Sequence, residues 1–196
     1  FISQQRSFVK HTDQFGVGAT LEQALNAEEG SIIGGCLILQ KEEYPEASFK
    51  GRKDFTAVIA LRLRCVSLNM FYKVSWLKTV IMPEVVEVLG FDHQNQGEEC
   101  SFGYTQVENC YFPKLVKVGA YAFTGCRIKE LNTENFPALR IIENWGFQQC
   151  CITSVNLPQL ISVGEYGFQN CLEMKSFQAD KLELVGENCF SYCYQL

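Results

Sequence analysis

The chain has 196 residues, long enough for one sizeable core or two small ones, and its 47% hydrophobic and 20% charged residues are an ordinary globular balance. Its formal net charge of -5 argues against nucleic-acid binding, because neutralising phosphates requires clustered Lys and Arg. No apolar run reaches the roughly 18 to 20 residues that a membrane-spanning helix needs, so no segment of this sequence is predicted to cross a bilayer.

The first predicted elements form an N-terminal cap. Thr20 and Gln23 have capping-box spacing, and residues 21–29, with Gly30 behind them, have the pattern of a short amphipathic helix. The run from Ile33 to Ile38 matches a strand that recurs 22 residues later. We therefore predict an N-terminal segment with a short capping helix over residues 1–30 and a repeat domain over residues 31–196.

The repeat unit is clearest in the C-terminal half. Residues 112–126, 136–150 and 157–171 fit the pattern [LF]-P-x-L-x-x-[VI]-x-x-x-small-F-x-x-C, and residues 181–193 keep its phase. Weaker copies precede them around Phe49 and Phe71. A polar, Gly-containing stretch from Phe91 to Cys100 interrupts the register and predicts an inserted surface loop at residues 91–100.

One phenylalanine marks each unit, and the markers recur 22, 31, 21, 24, 21 and 22 residues apart. The 31-residue interval contains the inserted loop, and the 24-residue interval has a small surplus at residues 133–135. A fixed period of this length is the signature of a solenoid, in which equivalent side chains line up from coil to coil. We expect the markers to form one column: Phe49, Phe71, Phe102, Phe123, Phe147, Phe168 and Phe190.

Each unit is predicted to contribute one short strand. Val155 and Leu157 alternate with Ser154 and Asn156, which is the period-two pattern of a strand with one buried face. A small residue before each marker phenylalanine leaves room for the ring. Because one coil cannot cover its own apolar faces, neighbouring coils must stack on each other to bury them.

The ten cysteines follow the repeat. Four of them stand three residues after a marker phenylalanine, namely Cys126, Cys150, Cys171 and Cys193. We interpret these as buried free thiols that pack like small apolar residues, with disulfides between successive coils as the alternative. Cys110 aligns with core positions, whereas Cys100 and Cys151 are expected to be exposed. The spacings do not resemble zinc-binding motifs, so no metal site is predicted.

The segments from Phe112 to Cys126 and from Leu157 to Cys171 resemble the BspA-like leucine-rich repeats, also called the Treponema pallidum type. The resemblance covers residues 31–196. It implies a leucine-rich-repeat solenoid, here a curved stack of about seven coils of roughly 22 residues, each with one strand in a parallel sheet on a concave wall. It also implies a role in adhesion or protein binding, since members of this family occur on the surfaces of bacteria and protozoan parasites.

Strand phase predicts which side chains point outward from the concave wall. The first half of the wall offers apolar groups and the second half small polar groups, and an exposed apolar row of this size is typical of a partner site. Alternatively, the N-terminal segment folds over that row. The candidate ligand-binding residues are Leu37, Ile59, Thr79, Ile81, Asn109, Tyr111, Glu130, Asn132, Ser154, Asn156, Ser176 and Gln178.

Catalytic and cofactor motifs are missing from the sequence. His11 and His93 lie in polar surroundings and are interpreted as solvated side chains, and no Gly-rich phosphate loop is present. We therefore expect a non-enzymatic module without a cofactor that binds a protein or glycan. The family resemblance implies that it does so at a cell surface or as a secreted protein. The alternative is a cytoplasmic scaffold or spacer array within a larger protein.

Overall fold

The structure, a computed structural model, describes residues 9–91 and 100–196. Most of the inserted loop predicted at residues 91–100, including His93, therefore lies outside the described residues. The first described residues, 9–14, are helical, and a second short helix, Leu21–Asn26, follows them. Fourteen short strands follow in the described part of the chain.

The capping box predicted at the second helix is confirmed. The Gln23 amide donates a hydrogen bond of 3.2 Å to Thr20 Oγ1, and the Thr20 amide donates one of 2.8 Å to Gln23 Oε1. These two bonds satisfy amides that have no partner within the helix. The helix ends at Asn26, three residues before the predicted end, because Ala27 already has an extended backbone.

One strand of each coil forms what we call the first wall. The hydrogen-bonded pairs are parallel except for a hairpin in which β1 (Ile32–Ile33) runs antiparallel to β2 (Cys36–Leu39). The strands of the first wall are β2 (Cys36–Leu39), β3 (Ala57–Ala60), β5 (Thr79–Ile81), β7 (Asn109–Tyr111), β9 (Glu130–Leu131), β11 (Ser154–Asn156) and β13 (Ser176–Gln178).

A single parallel sheet of six strands forms the opposite side, which we call the second wall, whereas the first wall is divided between β7 and β9 into two sheets. The strands of the second wall come from the L-x-x-[VI] part of each unit and pair in sequence order, coil upon coil. They are β4 (Cys65–Val66), β6 (Glu87–Val88), β8 (Lys117–Val118), β10 (Ile141–Ile142), β12 (Ser162–Val163) and β14 (Leu184–Val185). With seven strands in the first wall and six in the second, the described chain makes about six complete coils of roughly 22 residues, close to the predicted number of about seven.

The marker phenylalanines form the single column that the period predicts. Successive rings lie 5.5, 5.3, 4.9, 5.2, 5.9 and 5.9 Å apart between centroids and are nearly parallel. Five of the seven rings, from Phe71 to Phe168, are completely buried. The column lies between the two walls and belongs to the main hydrophobic core, so it links the coils along the whole solenoid.

The chain turns sharply on both sides of each marker ring. Residues two before and two after a marker adopt positive φ in most coils, as at Trp145 and Gln149 around Phe147. The position just before the ring is crowded, since a Cβ added at Gly146 or Gly167 would collide with the side chain of Ile142 or Val163. This crowding explains the small residue of the repeat pattern, whereas the positive φ values were not predicted.

The cysteines after the marker rings form a ladder of hydrogen bonds between coils. The thiols of Cys126, Cys150, Cys171 and Cys193 donate to the carbonyl oxygen of the marker phenylalanine one coil earlier, at 3.1 to 3.3 Å. All ten cysteines are free thiols in the structure. Cys110 is buried between the walls as predicted, but the prediction for Cys100 is wrong, because this residue is only 4% exposed.

Candidate binding surface

The outward face of the first wall changes character along the solenoid. In β2, β3, β5 and β7, an apolar row points outward: Ile38, Ile59, Ile81 and Tyr111. In β9, β11 and β13 and directly after β9, a polar row points outward: Glu130, Asn132, Ser154, Asn156, Ser176 and Gln178. The predicted gradient from apolar to polar positions therefore exists.

The apolar row is not open to solvent. Ile38, Ile59 and Ile81 are 0% exposed and Tyr111 is 4% exposed. They pack against residues 9–27, which we call the cover segment and which contributes Phe15, Val17, Ala19, Leu21, Ala24 and Ala27 to the same cluster. Ile59, Ile81 and Tyr111 are thus outward-facing as predicted, but they cannot contact a partner while the segment is docked.

Leu37 is a correction to the predicted outward positions. The prediction placed it in phase with Ile59, 22 residues later, whereas the structure pairs Leu37 with Val58 and Ile38 with Ile59. Leu37 therefore faces the main core, and Ile38 takes the outward place. The register differs by one residue because β2 follows a tight hairpin turn at Gly34 and Gly35, both of which have positive φ. A shift of one residue in a strand turns each side chain to the other face of the sheet.

Thr79 and Asn109 lie at the border between the two rows. Thr79 is 5% exposed, and its hydroxyl oxygen accepts a hydrogen bond from Asn109 Nδ2 at 3.3 Å. Thr79 is therefore engaged within the protein and shielded from solvent, while Asn109 is half-buried at the edge of the open surface. Of the two predicted binding residues, only Asn109 is accessible.

The polar row carries amides, hydroxyls and one carboxylate on an accessible sheet face. Glu130, Asn156, Ser176 and Gln178 are exposed, and Asn132 and Ser154 are half-buried. The parallel register sets Glu130, Ser154 and Ser176 side by side on successive strands, at the spacing of about 4.8 Å between neighbouring strands. Asn132 is held in place by amide hydrogen bonds from Glu134 and Asn135 to its side-chain oxygen, at 3.0 and 3.2 Å.

A cleft of about 360 Å³ opens where the polar row meets the cover segment. Gln14 and Phe15 of the segment form one side, and Asn109, Glu130 and Asn132 belong to the wall on the other. Lys129 also lines the cleft, so both signs of charge are present. The cleft combines one aromatic ring with amide and charged groups, which suits a polar ligand with some apolar surface.

A second concavity, of about 570 Å³, lies on the second wall and was not predicted. Its lining includes Phe91, Ile141, Leu184 and Val185, of which Leu184 is 65% exposed. The sequence feature that could have revealed this concavity is an apolar residue at the second x position of the L-x-x-[VI] pattern, as at Ile141, because that position points outward. Beside it, Tyr121, Trp145 and Tyr166 stack in an aromatic ladder at 4.7 and 5.2 Å.

Ion pairs tie neighbouring coils together on the second wall. Lys117 Nζ lies 3.0 Å from a Glu87 carboxylate oxygen and 2.8 Å from one of Glu143. The hydrogen bond to Glu143, followed by that to Glu87, raises the pKa of Lys117 and keeps its ammonium group charged. These side chains are roughly one-third exposed, so water screens the attraction.

His11 differs from its prediction as a solvated side chain. It is 2% exposed, and its ring stacks on that of Tyr111 with centroids 4.1 Å apart. Among the described residues, no group of three or more His, Cys, Asp or Glu side chains is placed to hold a metal ion. Within residues 9–91 and 100–196, no helix has the length and apolar character needed to cross a membrane.

Comparison with known proteins places these features in a family. The family model for the BspA-type leucine-rich repeat region, with six copies, matches residues 95–196, slightly more than half of the chain. The crystal structure of a leucine-rich repeat protein from T. pallidum is similar, with a TM-score of 0.64, 16% sequence identity and coverage of 83% of this chain and 78% of the other. No curated protein sequence matches.

Proposed function

Because the chain belongs to the BspA-type leucine-rich repeat family, we propose that it is a non-enzymatic binding module that recognises a protein or glycan through the polar row of the first wall. The observation that carries this proposal is the contrast between the two halves of that wall. The apolar row is occupied by the cover segment, whereas the polar row presents its side chains to solvent. A role in adhesion or recognition at a cell surface is part of the proposal.

The side chains of the polar row suit a ligand rich in hydrogen-bonding groups. Amides such as those of Asn156 and Gln178 both donate and accept, and the hydroxyls of Ser154 and Ser176 do the same. Repetition at the strand spacing matches an extended ligand, such as a peptide backbone or a chain of sugar rings. The adjoining cleft, with Phe15 and Lys129 in its lining, adds an apolar contact and a positive charge at one end of the row.

The proposal is tested by screening the full chain against a glycan array and a peptide-display library, and then measuring the affinity of each hit. Ser176→Arg places a long cation on β13, the last strand of the polar row, and should weaken binding by about tenfold or more. Ser75→Arg makes the same change at an exposed turn outside both walls and should leave the affinity unchanged. Undiminished binding by Ser176→Arg and by Asn156→Arg would exclude the polar row as the binding surface.

A further inference from the structure

We propose that the apolar row is a second docking surface, and that the cover segment is a displaceable ligand that occupies it until an amphipathic peptide segment of a partner protein takes its place. The apolar row is formed by Ile38, Ile59, Ile81 and Tyr111, and the cover segment by residues 9–27. This inference does not rest on the function proposed for the polar row, since different strands and different chemistry carry it.

The apolar side chains of the row need another chain segment to cover them. The outward positions of an open sheet face are normally polar, as in β11 and β13 of this chain. Here four successive strands place aliphatic or aromatic side chains on that face, all at most 4% exposed under the segment. If the segment left, a contiguous apolar surface would meet water, and such surfaces mark binding sites.

The cover segment can leave without disturbing the solenoid. Its buried apolar side chains, Ala19 and Ala24, belong with the row to a cluster separate from the main core, and its buried His11 stacks on Tyr111 of the same row. The marker phenylalanines and the inward faces of both walls lie in the main core. Undocking therefore removes contacts on the outer face of the first wall only.

An exposed ion pair and an amide hydrogen bond join the two ends of the segment to the solenoid. Lys10 and Glu134 form an ion pair at 3.2 Å, but both side chains are more than half exposed, so it contributes little. The side-chain amide of Gln40 donates to the carbonyl oxygen of Ala24. A helix of six residues is much shorter than the roughly 12 to 15 residues that an isolated helix needs. The order of the segment therefore depends on apolar docking, which a competing segment can provide equally.

The contacts of the cover segment define the chemistry of the partner. An aromatic residue equivalent to Phe15 and small or branched aliphatic residues equivalent to Val17, Ala19 and Ala24 would fill the same positions. A basic residue before the aromatic one would face Glu134, as Lys10 does. The partner is thus a short amphipathic peptide segment with a basic N-terminal end.

The experiment uses the full chain and a fluorescein-labelled peptide of residues 9–27 as the probe. Wild type should bind the peptide weakly, because the tethered segment competes at high effective concentration. Ala24→Asp puts a charge at a completely buried contact, and we expect it to increase the affinity for the peptide by at least about tenfold as the row becomes free. Leu25→Asp is the matched control, since Leu25 is 58% exposed, and should bind like wild type.

A further variant locates the site. In the Ala24→Asp background, Ile59→Glu should abolish peptide binding, while circular dichroism shows the same thermal unfolding of the solenoid. Three results would overturn the proposal: equal affinity of wild type and Ala24→Asp, binding that survives Ile59→Glu, or loss of the solenoid fold in Ala24→Asp. A wild-type dimer that exchanges its N-terminal segments would assign the row to a second copy of the chain and would also overturn it.

Discussion

The thiol of Cys150 donates a hydrogen bond of 3.1 Å to the carbonyl oxygen of Phe123, one coil earlier. Cys126, Cys171 and Cys193 repeat this relationship. In the coil of Phe102, Thr105 replaces the cysteine, and its hydroxyl bonds to the carbonyl of its own marker residue at 2.7 Å. The recurrent cysteine thus combines a small apolar side chain with a donor that joins adjacent coils.

Thiol reactivity should follow burial. Seven cysteines are buried, and only Cys65, Cys151 and Cys193 are half-buried. At pH 8, we expect Ellman's reagent to modify at most these three quickly in the native protein, and all ten after denaturation. Fewer than ten thiols in the denatured, unreduced protein would show disulfides instead, and would indicate an oxidising compartment.

Stability should fall as the pH rises above about 9. Burial raises the pKa of Cys126 and of Cys171 from the usual 9.0 to about 12. Between these values the unfolded thiol has lost its proton while the folded thiol keeps it, so the stabilisation that is fully present below pH 9 decreases by about 1.4 kcal/mol per pH unit for each such thiol. Urea unfolding at pH 8, 9 and 10 measures the slope, and Cys171→Ala should make it shallower; an unchanged slope would contradict the assignment.

Replacing a phenylalanine in the middle of the column should lower the free energy of unfolding more than replacing one at its end. Phe147 is 0% exposed and stacks on Phe123 and Phe168, whereas Phe190 stacks only on Phe168 within the column and is half-buried. Phe147→Ala should lower the free energy of unfolding by about 3 to 5 kcal/mol, and Phe190→Ala by clearly less. Urea denaturation of both variants, compared with Phe147→Leu, tests this order.

The contact between Gly18 and Gly34 should control docking of the cover segment. A Cβ on either residue would collide with backbone atoms of the other. Gly18→Ala should therefore loosen the segment, and hydrogen exchange at the Ala24 amide should speed up by about tenfold or more. Gly16→Asn is the control, because Gly16 has φ +60 and open space around it, and Asn tolerates this conformation. Equal exchange rates in both variants would contradict the prediction.

Removing the bridging cation of the second wall should have a small effect. Lys117→Met leaves Glu87 and Glu143 without their shared partner, yet these groups are about one-third exposed. We expect a loss of less than about 1 kcal/mol in the free energy of unfolding. The difference from wild type should shrink further in 1 M NaCl, which screens surface charges. A larger loss that persists in salt would mean that the pair is effectively buried.

Several features followed from the sequence alone. The recurrence of Phe, small residues and Cys about every 22 residues determined the solenoid, the ring column and the buried thiols, because stacked coils repeat the same environment for each equivalent residue. The capping box at Thr20 and Gln23 could also be predicted from the sequence, since it depends on groups only three residues apart. The gradient from apolar to polar outward positions on the first wall also followed from strand phase.

Other features depended on the tertiary structure. Leu37 turned inward because a hairpin changed the register by one residue, and Cys100 is buried although it ends an inserted stretch. Above all, the apolar row became inaccessible because the cover segment docks on it and His11 stacks on Tyr111. The sequence determined the repeated coil, since each coil meets the same neighbours; only the folded chain decided which outward side chains meet water, because a non-repeating N-terminal segment covers one half of the wall and leaves the other half open.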